Sequence, residues 1–194
     1  MMDATDMAGA TAAPIIREAA PADAPGIARV HVESWRTTYR DLLPADFLAG
    51  LSVERRTAYW DEFLRRTDRD SSMLVAEEAD RIVGFVVAGP ERTGTPNYRG
   101  EVYAIYLLES HQRRGIGAAL LRAAVAWLRR SGYNSMLIWV LAGNPSRGFY
   151  AAMGGQPVAT QPITIGDTTL EEVAYGWPDL AAFAPDQPES RAGG

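Results

Sequence analysis

The sequence predicts a mixed α/β fold in a single domain, on three observations. The chain has 194 residues, enough for one domain with a sizeable core. Strand-like apolar runs and stretches of helical periodicity follow one another from Ile15 to Trp177, with no internal repeat. Hydrophobic residues make up 47% and charged residues 22%, the balance of an ordinary globular protein. The expected organisation is a flexible leader over 1–13, one domain over 14–177, and a flexible tail over 178–194 rich in Pro, Ala and Gly.

Each element has a local cause. Ile15-Ile16-Arg17-Glu18 reads as a short strand. Pro21 and Pro25 fall where the first turn of a helix tolerates proline, and Ile27 and Val30 follow at helical spacing. Pro44 breaks the chain before a brief helical turn ending at Leu51. Ser52 is a candidate N-cap for a helix that carries Tyr59, Trp60 and Phe63 and runs to Arg66. Met73 to Glu77 and Ile82 to Ala88 are strands joined by the hairpin signal Glu78-Ala79-Asp80-Arg81. After an irregular loop with Pro90, Gly94 and Pro96, Glu101 to Leu108 is apolar on nearly both faces, as a central strand is. The helix from Gly115 to Arg130 puts Ile116, Leu120, Ala124 and Leu128 on one stripe, and Gly132 stops it. Asn134 to Leu141 is the next strand, and Asn144-Pro145 opens a short helix to Met153. The runs 156–165 and 168–177 form a closing hairpin around Gly166-Asp167.

Composition removes several kinds of chemistry. The 19 basic and 24 acidic residues give a net charge of −5, which argues against a broad nucleic-acid footprint. No window reaches the roughly eighteen uninterrupted apolar residues of a membrane span. The first thirteen residues lack a basic start and a long apolar stretch, so no secretory signal is read and a cytoplasmic location is expected. Without cysteine there is no disulfide, thiolate catalysis or Cys-based zinc site, and with only His31 and His111 no histidine-rich metal site is expected. Lysine is absent too, which removes a P-loop lysine and any Schiff base.

The most informative stretch is Gln112-Arg113-Arg114-Gly115-Ile116-Gly117-Ala118. It follows an apolar strand and opens an amphipathic helix, so several backbone N–H groups and a helix N-terminus converge on one spot. Such a spot holds a phosphate or pyrophosphate, with the two arginines adding positive charge. A dinucleotide fingerprint fails here. Its third small position falls on Leu120, and no acidic residue ends the strand 134–141 to hold a ribose.

With Gln112-x-x-Gly115-x-Gly117-Ala118 after the strand 102–108, Asn144 beyond the next strand, and Phe149-Tyr150-x-x-x-Gly154, the chain resembles the GNAT superfamily of acyl-CoA N-acyltransferases. The resemblance covers most of the chain. It implies a central, mostly antiparallel mixed sheet of six to seven strands flanked by four or so helices, with two strands splayed apart at the CoA site. It also implies that the 112–118 loop holds the pyrophosphate of acetyl-CoA. Ile105, Tyr106 and Leu107 would then offer backbone bonds to the acetyl and pantetheine parts, and Asn144 would contact the arm. One departure stands out: Gly155 follows Gly154 where the family usually has an aromatic residue.

Acetyl transfer to an amine requires loss of an amine proton, stabilisation of an oxyanion and protonation of the departing thiolate. Glu101 lies eleven residues before Gln112, the interval of the glutamate base in histone-type members. It reads either as the base, acting directly or through water, or as a strand-end carboxylate exposed or paired with an arginine. Tyr150 reads as the acid, or as an aromatic filling a helix–sheet interface. A backbone N–H, that of Ile105, is the oxyanion donor. On the acceptor side, His31, Trp35 and Tyr39 read as pocket residues or as packing.

The expected activity is acetyl-CoA-dependent N-acetylation of a primary amine, that of a small molecule, by direct attack in a ternary complex. Acetylation of a protein N-terminus or lysine is the alternative, and a non-catalytic acyl-CoA-binding module is the competing class. The expected partners are acetyl-CoA and the amine, with no metal, nucleic acid or membrane. Homodimerisation is left open.

Overall fold

The computed structural model describes residues 13–67 and 70–183. The expected leader lies outside them except for its last residue, as does the tail beyond 183. Seven strands form one sheet: β1 (Ile15–Glu18), β2 (Ser72–Glu78), β3 (Arg81–Pro90), β4 (Gly100–Leu107), β5 (Met136–Leu141), β6 (Gln156–Ile165) and β7 (Thr168–Trp177). Five α-helices accompany them among the described residues: α1 (Ala24–Thr38), α2 (Ala45–Ala49), α3 (Val53–Arg65), α4 (Ile116–Arg130) and α5 (Arg147–Ala152). The turn expected after Pro44 is the short helix α2. Every other element lies within a few residues of its sequence reading.

The strand order is β1-β2-β3-β4-β5-β7-β6. All neighbours are antiparallel except β4 and β5, which run parallel. The reason is connectivity: β4 reaches β5 through α4, a crossover that brings the chain back to the starting end of the sheet. α4 packs against β2, β3 and β4, and α1 packs against β3, β4 and α3. β3 is buried along nearly its whole length because helices cover both of its faces.

The apolar stripe of α4 performs as its spacing predicts. Ile116, Leu120, Leu121, Ala124, Val125 and Leu128 are all buried. Leu120 is wholly buried beneath β3, so truncating it to alanine removes transfer energy and leaves a cavity, typically about 2–5 kcal/mol. Ser52 caps α3, its Oγ accepting from the N–H of Arg55 at 3.2 Å. A smaller apolar cluster of Tyr39, Leu43, Leu48 and Leu141 ties the α1–α2 segment to β5 and the β6–β7 hairpin, with Phe47, Ile163, Ile165 and Leu170 packed on it.

One expectation changes on contact with the fold, and one departure is explained by it. Residues 178–183 are irregular yet packed: Leu180 is fully buried with its N–H donating to the carbonyl of Asn134 at 2.8 Å, and Phe183 is buried near Trp177. The flexible tail expected from residue 178 is corrected for that segment. The departure at Gly155 also finds its cause, since a Cβ there would come within 2.6 Å of the Trp177 ring. Trp177 from β7, its indole donating to the carbonyl of Met153 at 2.9 Å, fills the space that an aromatic side chain at position 155 would need.

Candidate functional site

β4 and β5 are registered only at Gly100–Met136 and Glu101–Leu137. Beyond those two pairs the strands diverge, and a cleft of about 560 Å³ opens between them. On its other edge β4 carries a bulge: Val87 pairs with Ala104 and Ala88 with Val102, leaving Tyr103 as the extra residue. Strand alternation gives the cleft two sides. Leu107 points toward α4, its Cδ1 beside Leu120 of that helix, and Ile105 is two residues from it on the same face. Tyr106 points the opposite way and stacks on His31 of α1, ring centroids 5.1 Å apart.

The α4 side of the cleft ends at the 112–118 loop. Gly115, at φ +79°, is the N-cap of α4 and offers no side-chain acceptor, so the first-turn N–H groups of the helix have no capping oxygen. Arg113 also has positive φ, at 62°, a strained conformation for a residue with a side chain. Together these turns aim N–H groups outward as an anion-binding concavity. Gln112, Arg113 and Gly117 line the cleft. Ile116 turns its side chain into the core, so it and its neighbours Gly115 and Ala118 can serve a ligand through the backbone alone.

Arg114 departs from the sequence reading. Its guanidinium donates to the carboxylate of Glu78 at the end of β2, with Nη1 to Oε2 at 3.3 Å and Nη2 to Oε1. His111 Nε2 lies 3.1 Å from the same carboxylate. The Arg114 hydrogen bond holds the Glu78 carboxyl below the usual carboxylate range. Of the two arginines, the structure brings Arg113 to the cleft and uses Arg114 to brace the loop.

Tyr39, Tyr106, Asn144 and Tyr150 meet in the deeper part of the cleft. Asn144 Oδ1 accepts from the N–H of Ser146 at 2.8 Å, and its Nδ2 donates to the Tyr39 hydroxyl at 3.5 Å. It therefore shapes the start of the α5 segment while facing the cleft. Burial pushes the Tyr39, Tyr106 and Tyr150 hydroxyls above the usual phenol range, so each stays protonated at neutral pH.

Of the three acceptor-side residues read from the sequence, Tyr39 lines the cleft, and His31 and Trp35 stand behind it. His31 is buried with neither ring nitrogen hydrogen-bonded, and burial pushes its pKa down to about 3. It is a neutral ring packed among Trp35, Trp60, Phe85 and Tyr106.

Glu101 requires a correction. The residue is 2% exposed and does not line the cleft. Its Oε1 accepts from Arg92 Nη2 at 2.6 Å, and its Oε2 from Arg92 Nε at 3.2 Å and the Arg92 backbone N–H at 3.0 Å. Both oxygens are engaged, which is the arginine-paired alternative of the sequence reading rather than a free base. The same guanidinium lies 3.6 Å from the ring centroid of Tyr103. Sequence reasoning missed Arg92, Tyr103 and Trp139. Alternation from Tyr106 pointed to neither ring, because the bulge at Tyr103 and the outward splay of β5 are not local signals.

Comparison with known proteins agrees with this geometry. The profile of the Acetyltransferase (GNAT) family matches residues 33–154. The uncharacterized N-acetyltransferase YuaI of Bacillus subtilis (strain 168) is 40% identical over 168 residues, spanning 87% of this chain and 95% of that protein. Rv2775 of Mycobacterium tuberculosis, a probable N-acetyltransferase, is 30% identical over 137 residues, 70% of this chain and 75% of its own length. Among solved structures, the PaiA N-acetyltransferase of Thermoplasma acidophilum in complex with coenzyme A aligns at TM-score 0.68 and 21% identity, covering 83% of this chain and 98% of that one. The yncA protein of Salmonella typhimurium, a putative acetyltransferase solved with acetyl-CoA, aligns at TM-score 0.65 and 22% identity over 91% and 100% of the two chains. A splayed parallel strand pair, an N–H-rich loop before α4 and this agreement over most of the sequence have one reading: the chain belongs to the acetyltransferase (GNAT) family and is an N-acetyltransferase.

Proposed function

We propose that the protein transfers an acetyl group from acetyl-CoA to a primary amine of a small molecule, by direct attack in a ternary complex. The observation that carries this is the gap between β4 and β5. Buried strand edges need hydrogen-bond partners, and an extended pantetheine arm laid in the gap supplies them. The N–H groups of the 112–118 loop and Arg113 suit the pyrophosphate, and Asn144 borders the arm.

In this reading the amine nitrogen bonds to the thioester carbon, the C–S bond breaks, and the oxygen passes through an anionic state met by the N–H of Ile105. A well-placed backbone donor is worth about 3 kcal/mol in such a state. The Tyr150 hydroxyl, kept protonated by burial, gives its proton to the departing thiolate and is reprotonated from solvent. No carboxylate or imidazole is among the cleft-lining residues that the structure describes, so the ammonium proton leaves to water. Glu101, held by Arg92 against Tyr103, is a positioning residue. The absence of cysteine rules out an acetyl-thiol intermediate on the chain.

Two measurements test the reading together. Calorimetry with coenzyme A should give saturable heat, and a panel of amines with acetyl-CoA should release free thiol. Absence of both would remove the assignment. Coenzyme A binding with no thiol release from any amine would favour the non-catalytic module.

A further inference from the structure

The two sides of the cleft differ in chemistry. The α4 side carries Arg113 and a helix N-terminus, suited to an anion. The opposite side is built from rings. Two residues beyond the last registered pair, Glu101 and Leu137, come Tyr103 on β4 and Trp139 on β5, so these rings stand on opposite banks of the widening gap. Tyr39 and Tyr106 close the inner end.

One loop fixes both outer rings. Arg92 lies over the Tyr103 face at 3.6 Å, and Thr93 Oγ1 accepts from the Trp139 indole at 3.3 Å. The Tyr103 hydroxyl is also fixed, donating to the carbonyl of Pro90 at 2.8 Å. Rings held from outside lose little freedom when a ligand enters between them.

Three carboxylates on the bordering segments are held by hydrogen bonds. Arg92 holds both oxygens of Glu101. Glu91 accepts from the backbone N–H groups of Thr93, Gly94 and Thr95 at 2.7, 2.8 and 3.2 Å. Glu172 accepts from Gln161 at 2.7 Å across β6 and β7. No carboxylate is among the described residues that line the cleft, so a second or third positive charge on the acceptor would be desolvated here without a carboxylate in contact, which is costly. A single ammonium group over electron-rich ring faces is favoured instead.

We propose that the acceptor is a primary amine with one positive charge and a flat aromatic body, seated between Tyr103 and Trp139. This rests on reading the cleft as the site of acetyl transfer. The test uses the full chain with acetyl-CoA, scoring free thiol and acetylated product for phenethylamine and tryptamine against spermidine, kanamycin, glycine and a peptide with a free N-terminal alanine. The aryl amines should exceed every other acceptor in kcat/KM by at least about tenfold. Preference for spermidine, kanamycin, glycine or the peptide would overturn the acceptor class while leaving acetyl transfer intact. Turnover of other amines but of neither aryl amine would overturn this proposal alone; coenzyme A binding with no turnover of any amine, or no coenzyme A binding, would overturn the reading beneath it. Trp139→Ala should raise KM for phenethylamine about tenfold and leave KM for acetyl-CoA unchanged, with Trp139→Phe recovering most of the loss. An equal rise in both KM values, or none, would overturn the seating. The wild-type panel decides the class even if the alanine variant does not fold.

Discussion

Arg114 donates both terminal nitrogens of its guanidinium to Glu78, the last residue of β2, and so anchors the loop before α4 to a neighbouring strand. The Glu78 side chain is only 7% exposed, and His111 meets the same carboxylate from the loop's other end. Arg113 and the first-turn N–H groups of α4 therefore hang from a braced segment. The brace decides which arginine faces the cleft.

Glu78→Gln should weaken that brace and raise KM for acetyl-CoA severalfold, with KM for the amine little changed. The pH dependence has a definite sign. Because the folded carboxyl titrates below its usual value of 4.5, its contribution is complete above that value and fades as pH falls through the lowered one. Steady-state kinetics with each substrate varied in turn checks the first expectation. Equal effects on both KM values would assign Glu78 to the fold at large.

Tyr150→Phe keeps the ring that packs near Tyr175 and removes only the hydroxyl. Turnover should fall about a hundredfold or more, as loss of a general acid does, while coenzyme A binding by calorimetry stays within about twofold. Burial raises the phenol's pKa, so the wild-type kcat profile should show no limb from this group in the neutral range. A matching loss of affinity and turnover would make Tyr150 a packing residue.

Glu101→Gln tests whether Glu101 positions the site or takes up a proton. A positioning residue should lower kcat and leave the shape of the pH–rate profile unchanged, because the group that titrates is the amine. Disappearance of an acidic limb in the variant would restore Glu101 as the base. Arg92→Met should reproduce the loss of kcat, since it releases the Tyr103 ring by the other partner of the same ion pair.

His31 provides a prediction about stability. Its pKa is about 3 in the folded protein and 6.5 as the ordinary value, so the unfolded chain binds the extra proton between those limits. Stability therefore falls as pH drops below 6.5, by about 2 kcal/mol at pH 5 from this residue alone. His31→Phe should flatten that part of the curve in urea unfolding measured from pH 7 to pH 5. A curve of unchanged slope would place the proton-linked loss elsewhere.

The sequence alone determined the elements and the glycine-flanked turn before α4, because both are written in local spacing. The stripe of Ile116, Leu120, Ala124 and Leu128 and the pair of glycines at 115 and 117 are contained within a few turns of chain. The candidate acid Tyr150 was likewise placed by its distance from Asn144 and Gly154. The tertiary structure decided what depends on residues far apart in sequence. Whether Glu101 is free turns on Arg92 in the preceding loop, and whether Arg114 reaches the cleft turns on Glu78 at the end of another strand. His31 becomes a neutral ring only because α3, β3 and β4 close around it. The aromatic side of the cleft exists because β4 and β5 part after two registered pairs, bringing Tyr103 and Trp139 to its two banks. Spacing along a chain fixes which face of an element a residue takes, and only the packing of elements decides which charge that residue meets.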